Sequence, residues 1–192
     1  MHMPTADPRR RHRYTVDEYH RMGSAGILRP DQRVELIEGE IIDMTPIGSR
    51  HAAAVKRLAK LLHDTVRERA IVSVQDPITL DRHSEPQPDI ALLKPKADFY
   101  ASAHPGPGDV LLVIEVADRS LAFDREVKLP LYARHGIPEA WLLDLEGKRL
   151  GVYRGPSAAG YRQASESEPA GPMPLPGLPG VTVDLDGFPP AG

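Results

Sequence analysis

The sequence predicts an α/β (α+β) domain built on a mixed sheet flanked by helices, and three observations carry that expectation. His51 to Arg69 has its apolar residues Val55, Leu58, Ala59, Leu62 and Val66 at helical spacing. Ile90-Ala91-Leu92-Leu93 and Leu111-Leu112-Val113-Ile114 are short apolar runs of the kind found in strands covered on both faces. Helical and strand-like segments alternate along the chain, which places helices against a sheet rather than in a separate bundle.

In chain order, residues 1–13 form a basic segment carrying Arg9, Arg10, Arg11 and Arg13, expected to be flexible. Thr15 and Glu18 have the spacing of a capping box, which predicts a short helix to about Met22. Val34 to Met44 reads as two strands joined at Glu38-Gly39, a tight-turn pair. Alternation sets Val34 and Leu36 on one face and Glu35 and Ile37 on the other. Ser49 is a candidate cap for the long helix, and His51 lies in its first turn, where the helix dipole disfavours a charged imidazole. Strands are expected at 71–74 and 78–80, followed by a polar loop to Gln87 and a strand opening at Pro88-Asp89.

Residues 98–109 are loop, and 110–116 a buried strand whose apolar run ends at Glu115. A helix opening at Ser120 or Asp124 should close at Gly136; Pro130 either kinks it or marks its true start. Lys128 and Tyr132, four apart, share one face. Strands follow at 140–143 and 149–153, with a turn at Glu146-Gly147. The main domain is expected over 14–155. Beyond it, 156–192 reads as a Pro/Gly-rich arm, with weak strands at 161–164 and 181–185, packing on the domain or on a dimer partner.

Composition narrows the function. The chain has 192 residues, enough for one substantial core. It contains no cysteine, which excludes disulfides, thiolate zinc sites and cysteine nucleophiles. No apolar run approaches a membrane span and the start lacks a signal-peptide core, so the expected location is cytoplasmic. The net charge of −3 means that any contact with nucleic acid must use a local patch. The candidates are the N-terminal arginines and a second set of Lys56, Arg57, Lys60, Arg67 and Arg69, which also reads as a solvated helix face.

Asp89 and Glu115 are the residues around which the chain is organised. Each puts a carboxylate into a strand-like apolar run, where an ionised group is costly unless paired, protonated or bound to a cation. Two on neighbouring strands suggest a shared divalent cation; alternatively, each ends its strand and points at water. Glu35 likewise faces either that site or solvent. Two carboxylates could also serve a glycoside hydrolase, but one Trp and three Phe leave few sugar platforms.

Pro88-Asp89, then Glu115, then a lysine resembles the PD-(D/E)XK nuclease superfamily with its restriction-endonuclease-like fold. The segment Glu35 to Glu40, His51, Pro88-Asp89-Ile90, Ile114-Glu115-Val116 and the block from Lys128 to Trp141 is similar to the Uma-type restriction-endonuclease-like family, over about Tyr14 to Tyr153. The resemblance implies a metal-dependent DNA endonuclease with Asp89 and Glu115 as Mg²⁺ (or Mn²⁺) ligands and a catalytic lysine. Glu35, His51 and Tyr132 are its supporting candidates. Where the superfamily lysine usually stands, two residues after Glu115, this chain has Ala117; Lys128 is the candidate replacement. DNA is the implied partner, and a homodimer would let two such sites cut both strands. The competing expectation is an inactive module of the same fold that binds DNA or regulates.

Overall fold

The computed structural model describes residues 12–188. Arg9, Arg10 and Arg11 lie outside the described residues. Its elements are α1 (Val16–Ser24), β1 (Val34–Ile37), β2 (Glu40–Asp43), α2 (Ser49–Val66), β3 (Ile71–Val74), β4 (Ile90–Leu93) and β5 (Val110–Ala117). After α3 (Leu121–Phe123), a π turn (Asp124–Lys128) and α4 (Leu129–Arg134) come β6 (Glu139–Asp144), β7 (Arg149–Ser157), β8 (Gly160–Ser167), β9 (Pro172–Pro174) and β10 (Thr182–Asp184).

Six strands form a central mixed sheet in the order β3-β4-β5-β6-β7-β8, parallel only between β5 and β6. Parallel neighbours need a crossover, and the helical stretch 121–134 supplies it. From Leu112 to Ala117 the side chains of β5 alternate between two cores, beyond the register shift at its start. Leu112, Ile114 and Val116 pack in the cluster that holds Leu58, Leu62 and Val66 of α2. Val113 and Ala117 face the other way, into the cluster of Leu129, Leu131 and Tyr132 from α4. Glu115 falls between those two, on the α4 side.

The C-terminal stretch completes the first core. Leu175, Leu178, Val181, Val183, Leu185 and Phe188 are all buried in the α2 cluster, and β9 and β10 pair as a small antiparallel sheet. β7 runs through position 155 without a break.

Local chemistry explains most element ends. Thr15 Oγ1 accepts from the Glu18 backbone N–H at 3.2 Å while the Glu18 carboxylate accepts from the Thr15 N–H at 2.8 Å, completing the capping box. Glu38 and Gly39 both have positive φ, at 50° and 83°, the primed turn that matches strand twist. Three expectations need correction and one alternative falls. Gly48, not Ser49, is the N-cap of α2, with no side-chain cap bond. Residues 78–80 form no strand of a sheet: Ile78 and Leu80 donate to Pro86 and Ser84 across a loop whose prolines 77, 86 and 88 lack the donors a ladder needs. The alternative in which Glu115 ends its strand is removed, because β5, expected over 110–116, continues through Val116 and Ala117. The single predicted helix after Ser120 is broken in its middle by the π turn. Pro130 cannot donate to Glu126, and its ring would crowd that carbonyl, so the wider turn absorbs the misfit.

Gly39 sets the hairpin that carries Glu35. A Cβ there would stand 2.6 Å from Arg13 Cβ and 2.9 Å from its Cα, on top of the positive φ. Gly39→Ala is therefore expected to destabilise the fold by about 1–3 kcal/mol. Gly23→Ala, inside α1 with nothing within 4 Å, should be neutral or stabilise by up to about 1 kcal/mol. Urea denaturation of the two variants checks both signs.

Candidate functional site

A cavity of about 530 Å³ opens between the β1–β2 hairpin, the start of α2, the facing ends of β4 and β5, and the π turn. Its position follows from sheet register. Ile90 of β4 pairs with Ile114 of β5, so Asp89 and Glu115 stand side by side one step further along. The backbone ties them together: the Val116 N–H donates to Asp89 Oδ2 at 2.9 Å, and the Asp89 N–H approaches Glu115 Oε2 at 3.4 Å.

Lys128 is the centre of the arrangement. Its Nζ lies 3.2 Å from Glu35 Oε2 and 3.2 Å from Glu115 Oε1, and donates to the Gln87 carbonyl at 3.3 Å. All three charged side chains are buried. The solvent-facing alternative for Glu35 is thereby removed. The Tyr132 hydroxyl donates to Glu115 Oε1 at 2.5 Å from within the core. Gln87 holds Glu35 from its backbone N–H at 3.1 Å. His51 Nε2 meets Asp89 Oδ2 at 3.0 Å, and Gln75 Nε2 donates to Asp89 Oδ1 at 3.1 Å. All six residues singled out in the sequence thus converge on one site.

Electrostatics set the protonation of these groups. Burial drives the Glu115 carboxyl up to about 8, and Lys128 offsets that only in part. Burial would push Lys128 down, but Glu115, Glu35, Asp124 and Asp89 together raise it, so it stays an ammonium. Asp89 is raised by burial and lowered by more through His51, Val116 and Gln75, for a net fall. His51 is shifted upward, chiefly because the Asp89 hydrogen bond outweighs burial, with the charges of Asp89, Asp118 and Asp124 adding to the rise. Its Nδ1 is buried with no partner among the described residues.

The sequence reading missed Asp124 as a site residue. Its carboxyl lines the same cavity, accepts from Ser120 Oγ at 2.5 Å, and is pushed by burial up to about 6. The signal was present: Asp124 and Lys128 are four apart, one helical turn. Arg33 and Arg119 also line the cavity and were not singled out. Lys56, Arg57 and Lys60, by contrast, are exposed on α2 and are not among the residues lining it. The donors available to a cation here are the oxygens of Asp89 and Glu115, with Asp124 and Glu35 nearby.

The family Uma2, described as "Putative restriction endonuclease", matches residues 16–186. No curated protein matches the chain. Among solved structures, the crystal structure of a "putative nuclease belonging to DUF820" from Anabaena variabilis ATCC 29413 is similar with a TM-score of 0.65 and 20% identity. The likeness covers 84% of this chain and 89% of that one, and it shows a shared fold.

Lys128→Met tests the charge balance directly. A carboxyl raised to about 8 binds its proton more tightly in the fold than in the unfolded chain, where it titrates near 4.5. Between those values folding takes up protons, so the Glu115 contribution to stability falls as the pH rises. Removing the ammonium raises the carboxyls further and steepens the fall. The variant should lose about 3–5 kcal/mol at pH 8 and clearly less at pH 5. Urea denaturation giving the same loss at both pH values would contradict the assignment.

Proposed function

Because the chain belongs to the Uma2 family, we propose that it is a divalent-metal-dependent endonuclease hydrolysing DNA phosphodiester bonds at the Asp89–Glu115–Lys128 site. The observation that carries the reading is the cavity's charge. Its lining holds six carboxyl groups (Glu35, Asp43, Asp89, Glu115, Asp118 and Asp124), of which Glu115 keeps its proton near pH 7 until a cation enters, against three strong bases (Arg33, Arg119 and Lys128). A polyanion meeting that surface alone would be repelled, whereas a cation would be drawn in and would invert the local sign.

The donor set suits Mg²⁺ or Mn²⁺. Such ions take hard oxygens, commonly one or two carboxylates completed by water and substrate phosphate, and the cavity has room for both. Asp89 and Glu115 would hold the ion, which would supply Lewis acidity toward the scissile phosphate. The chain's own residues do the rest. Tyr132 and the Val116 N–H hold the two carboxylates in place. His51 and Gln75 fix the Asp89 rotamer. Lys128 keeps a full positive charge beside the reacting group, where it stabilises charge gathering on phosphoryl oxygens. Glu35 and the Gln87 carbonyl also position that ammonium. Two copies related by a two-fold axis would cut both strands, so the reading extends to a homodimer, which light scattering would test.

Two experiments test the reading. In plasmid cleavage with Mg²⁺ or Mn²⁺, Asp89→Asn and Glu115→Gln should each lose about 10²-fold or more, and Lys128→Met should lose cleavage while still binding the cation. Wild-type protein that binds DNA but cuts none with either ion would favour the inactive binding module instead. Calorimetry adds a second check. Glu115 must shed its proton to bind a cation, so Mg²⁺ binding at pH 7 should release protons and tighten as the pH rises toward 8. Heats that do not depend on the buffer's ionisation enthalpy would exclude Glu115 as a ligand.

A further inference from the structure

Among the described residues, the only three or more His, Asp or Glu side chains whose ligand atoms all lie within 4.8 Å of one another are His20, Glu85 and His104. None of the three lines the cavity described above. They come from three separate segments: α1, the 75–89 connection before β4, and the loop before β5.

Each is held where it stands. Glu85 is buried, its backbone bridged to Leu36 of β1, and its Oε2 accepts from Thr79 Oγ1 at 2.8 Å. The Thr79 N–H also donates to the Pro105 carbonyl at 3.0 Å, so a single threonine fixes both Glu85 and the residue next to His104. His20 is placed by α1, which the Val16 N–H ties to Arg82 and the Tyr19 hydroxyl ties to Val34. The two imidazoles stand 6.2 Å apart, centroid to centroid, with planes 71° apart, and both line one surface groove. His20 Nε2 meets Glu85 Oε1 at 2.6 Å, and His20 is the only ion-pair partner of this buried carboxylate among the described residues.

We propose that His20, Glu85 and His104 form a second metal site, selective for Zn²⁺ or a similar late transition ion and independent of the proposed nuclease centre. Two imidazoles and one carboxylate are the donor set of three-ligand zinc sites, in which the fourth position stays open to water or substrate. Nitrogen donors separate it from the all-oxygen Asp89–Glu115 pair, which favours Mg²⁺ and Mn²⁺. Entry of the ion replaces the His20–Glu85 hydrogen bond. With bonds of about 2 Å, a tetrahedral ion needs donors about 3.3 Å apart, so the pair opens by less than about 1 Å. Donor atoms as far as 4.8 Å apart would close by up to about 1.5 Å toward that spacing, and His20 and His104, both exposed, are the side chains that would move. A bound ion would clamp α1 and the 94–109 loop onto the β1 hairpin, linking segments otherwise joined by few hydrogen bonds.

The test uses the untagged full chain. Competition with a chromophoric chelator should give one tight Zn²⁺ per chain, Co²⁺ should produce the visible bands of a tetrahedral N/O site, and Zn²⁺ should raise the melting temperature. His20→Asn and His104→Asn, both at exposed positions, should weaken Zn²⁺ by more than roughly tenfold, the loss that even an outer-shell partner can cause. Both should abolish the thermal shift with circular dichroism unchanged. The same Zn²⁺ site should persist in the Asp89→Asn/Glu115→Gln protein, whether or not wild type cuts DNA. Unchanged Zn²⁺ affinity in His20→Asn and His104→Asn, or no tight Zn²⁺ in wild type, would leave His20–Glu85 as a hydrogen-bonded pair only and overturn the proposal.

Discussion

One buried ammonium holds the site together. Lys128 Nζ sits between Glu35 and Glu115, so the β1–β2 hairpin, a central strand and the helix interrupted by the π turn meet at a single positive charge. Placing two carboxylates and an amine out of water costs several kcal/mol per ion, and only close pairing returns it. The surrounding structure is arranged to make that pairing close. The primed turn at Glu38-Gly39 aims β1, the alternation of β5 turns Glu115 toward α4, and the π turn ahead of Pro130 swings Lys128 inward. From Lys128 onward the helix is regular, so Lys128 and Tyr132, one turn apart, share a face and both reach Glu115 Oε1. The tight packing of Leu129, Leu131 and Tyr132 against the sheet makes the irregular turn tolerable.

Much of this was legible in the sequence, and for a physical reason. A carboxylate inside an apolar run is an anomaly that a fold retains only with compensation, so Asp89 and Glu115 stood out before any geometry was known. The long helix and the hairpin were legible because periodicity and turn chemistry are local. Less was legible where the outcome depended on distant parts. Glu35 was left open between site and solvent because its burial depends on Lys128, more than ninety positions away. Asp124 reads as a helix opener because its four-residue spacing to Lys128 puts the two on one face without marking that face as buried. His20, Glu85 and His104 carried no signal, being spread over three segments that only tertiary packing brings together. The proline-rich stretch 77–88 was misread as containing a strand because Ile78 and Leu80 have the right side chains but the wrong backbone partners.

On the two proposals, the histidine-bearing sites would divide metal chemistry by donor type. At the Asp89–Glu115 cavity, acidic side chains outnumber strong bases and the one imidazole bonds Asp89 through Nε2, which leaves oxygens to face an ion. At Glu85 the carboxylate is single and two imidazoles approach it from exposed positions. Hard and borderline ions would therefore sort between the sites without either needing high intrinsic selectivity. The separation also lets the binding properties of one site be measured with the other disabled.

The position of the lysine follows from packing rather than from chance. Two residues beyond Glu115, on the same face of β5, stands Ala117, fully buried among Leu129, Tyr132 and Leu142 in the α4 cluster. A lysine there would thread four methylenes and a charge into filled apolar space, and overpacking of that kind costs about 1–3 kcal/mol before desolvation is counted. The crossover helix can instead bring an ammonium to the same carboxylate from outside the sheet, with Glu35 and the Gln87 carbonyl as further partners. The small residue at 117 and the lysine at 128 are thus two sides of one steric solution. Ala117 keeps the strand face narrow enough for α4 to approach, and that approach brings Lys128 to Glu115.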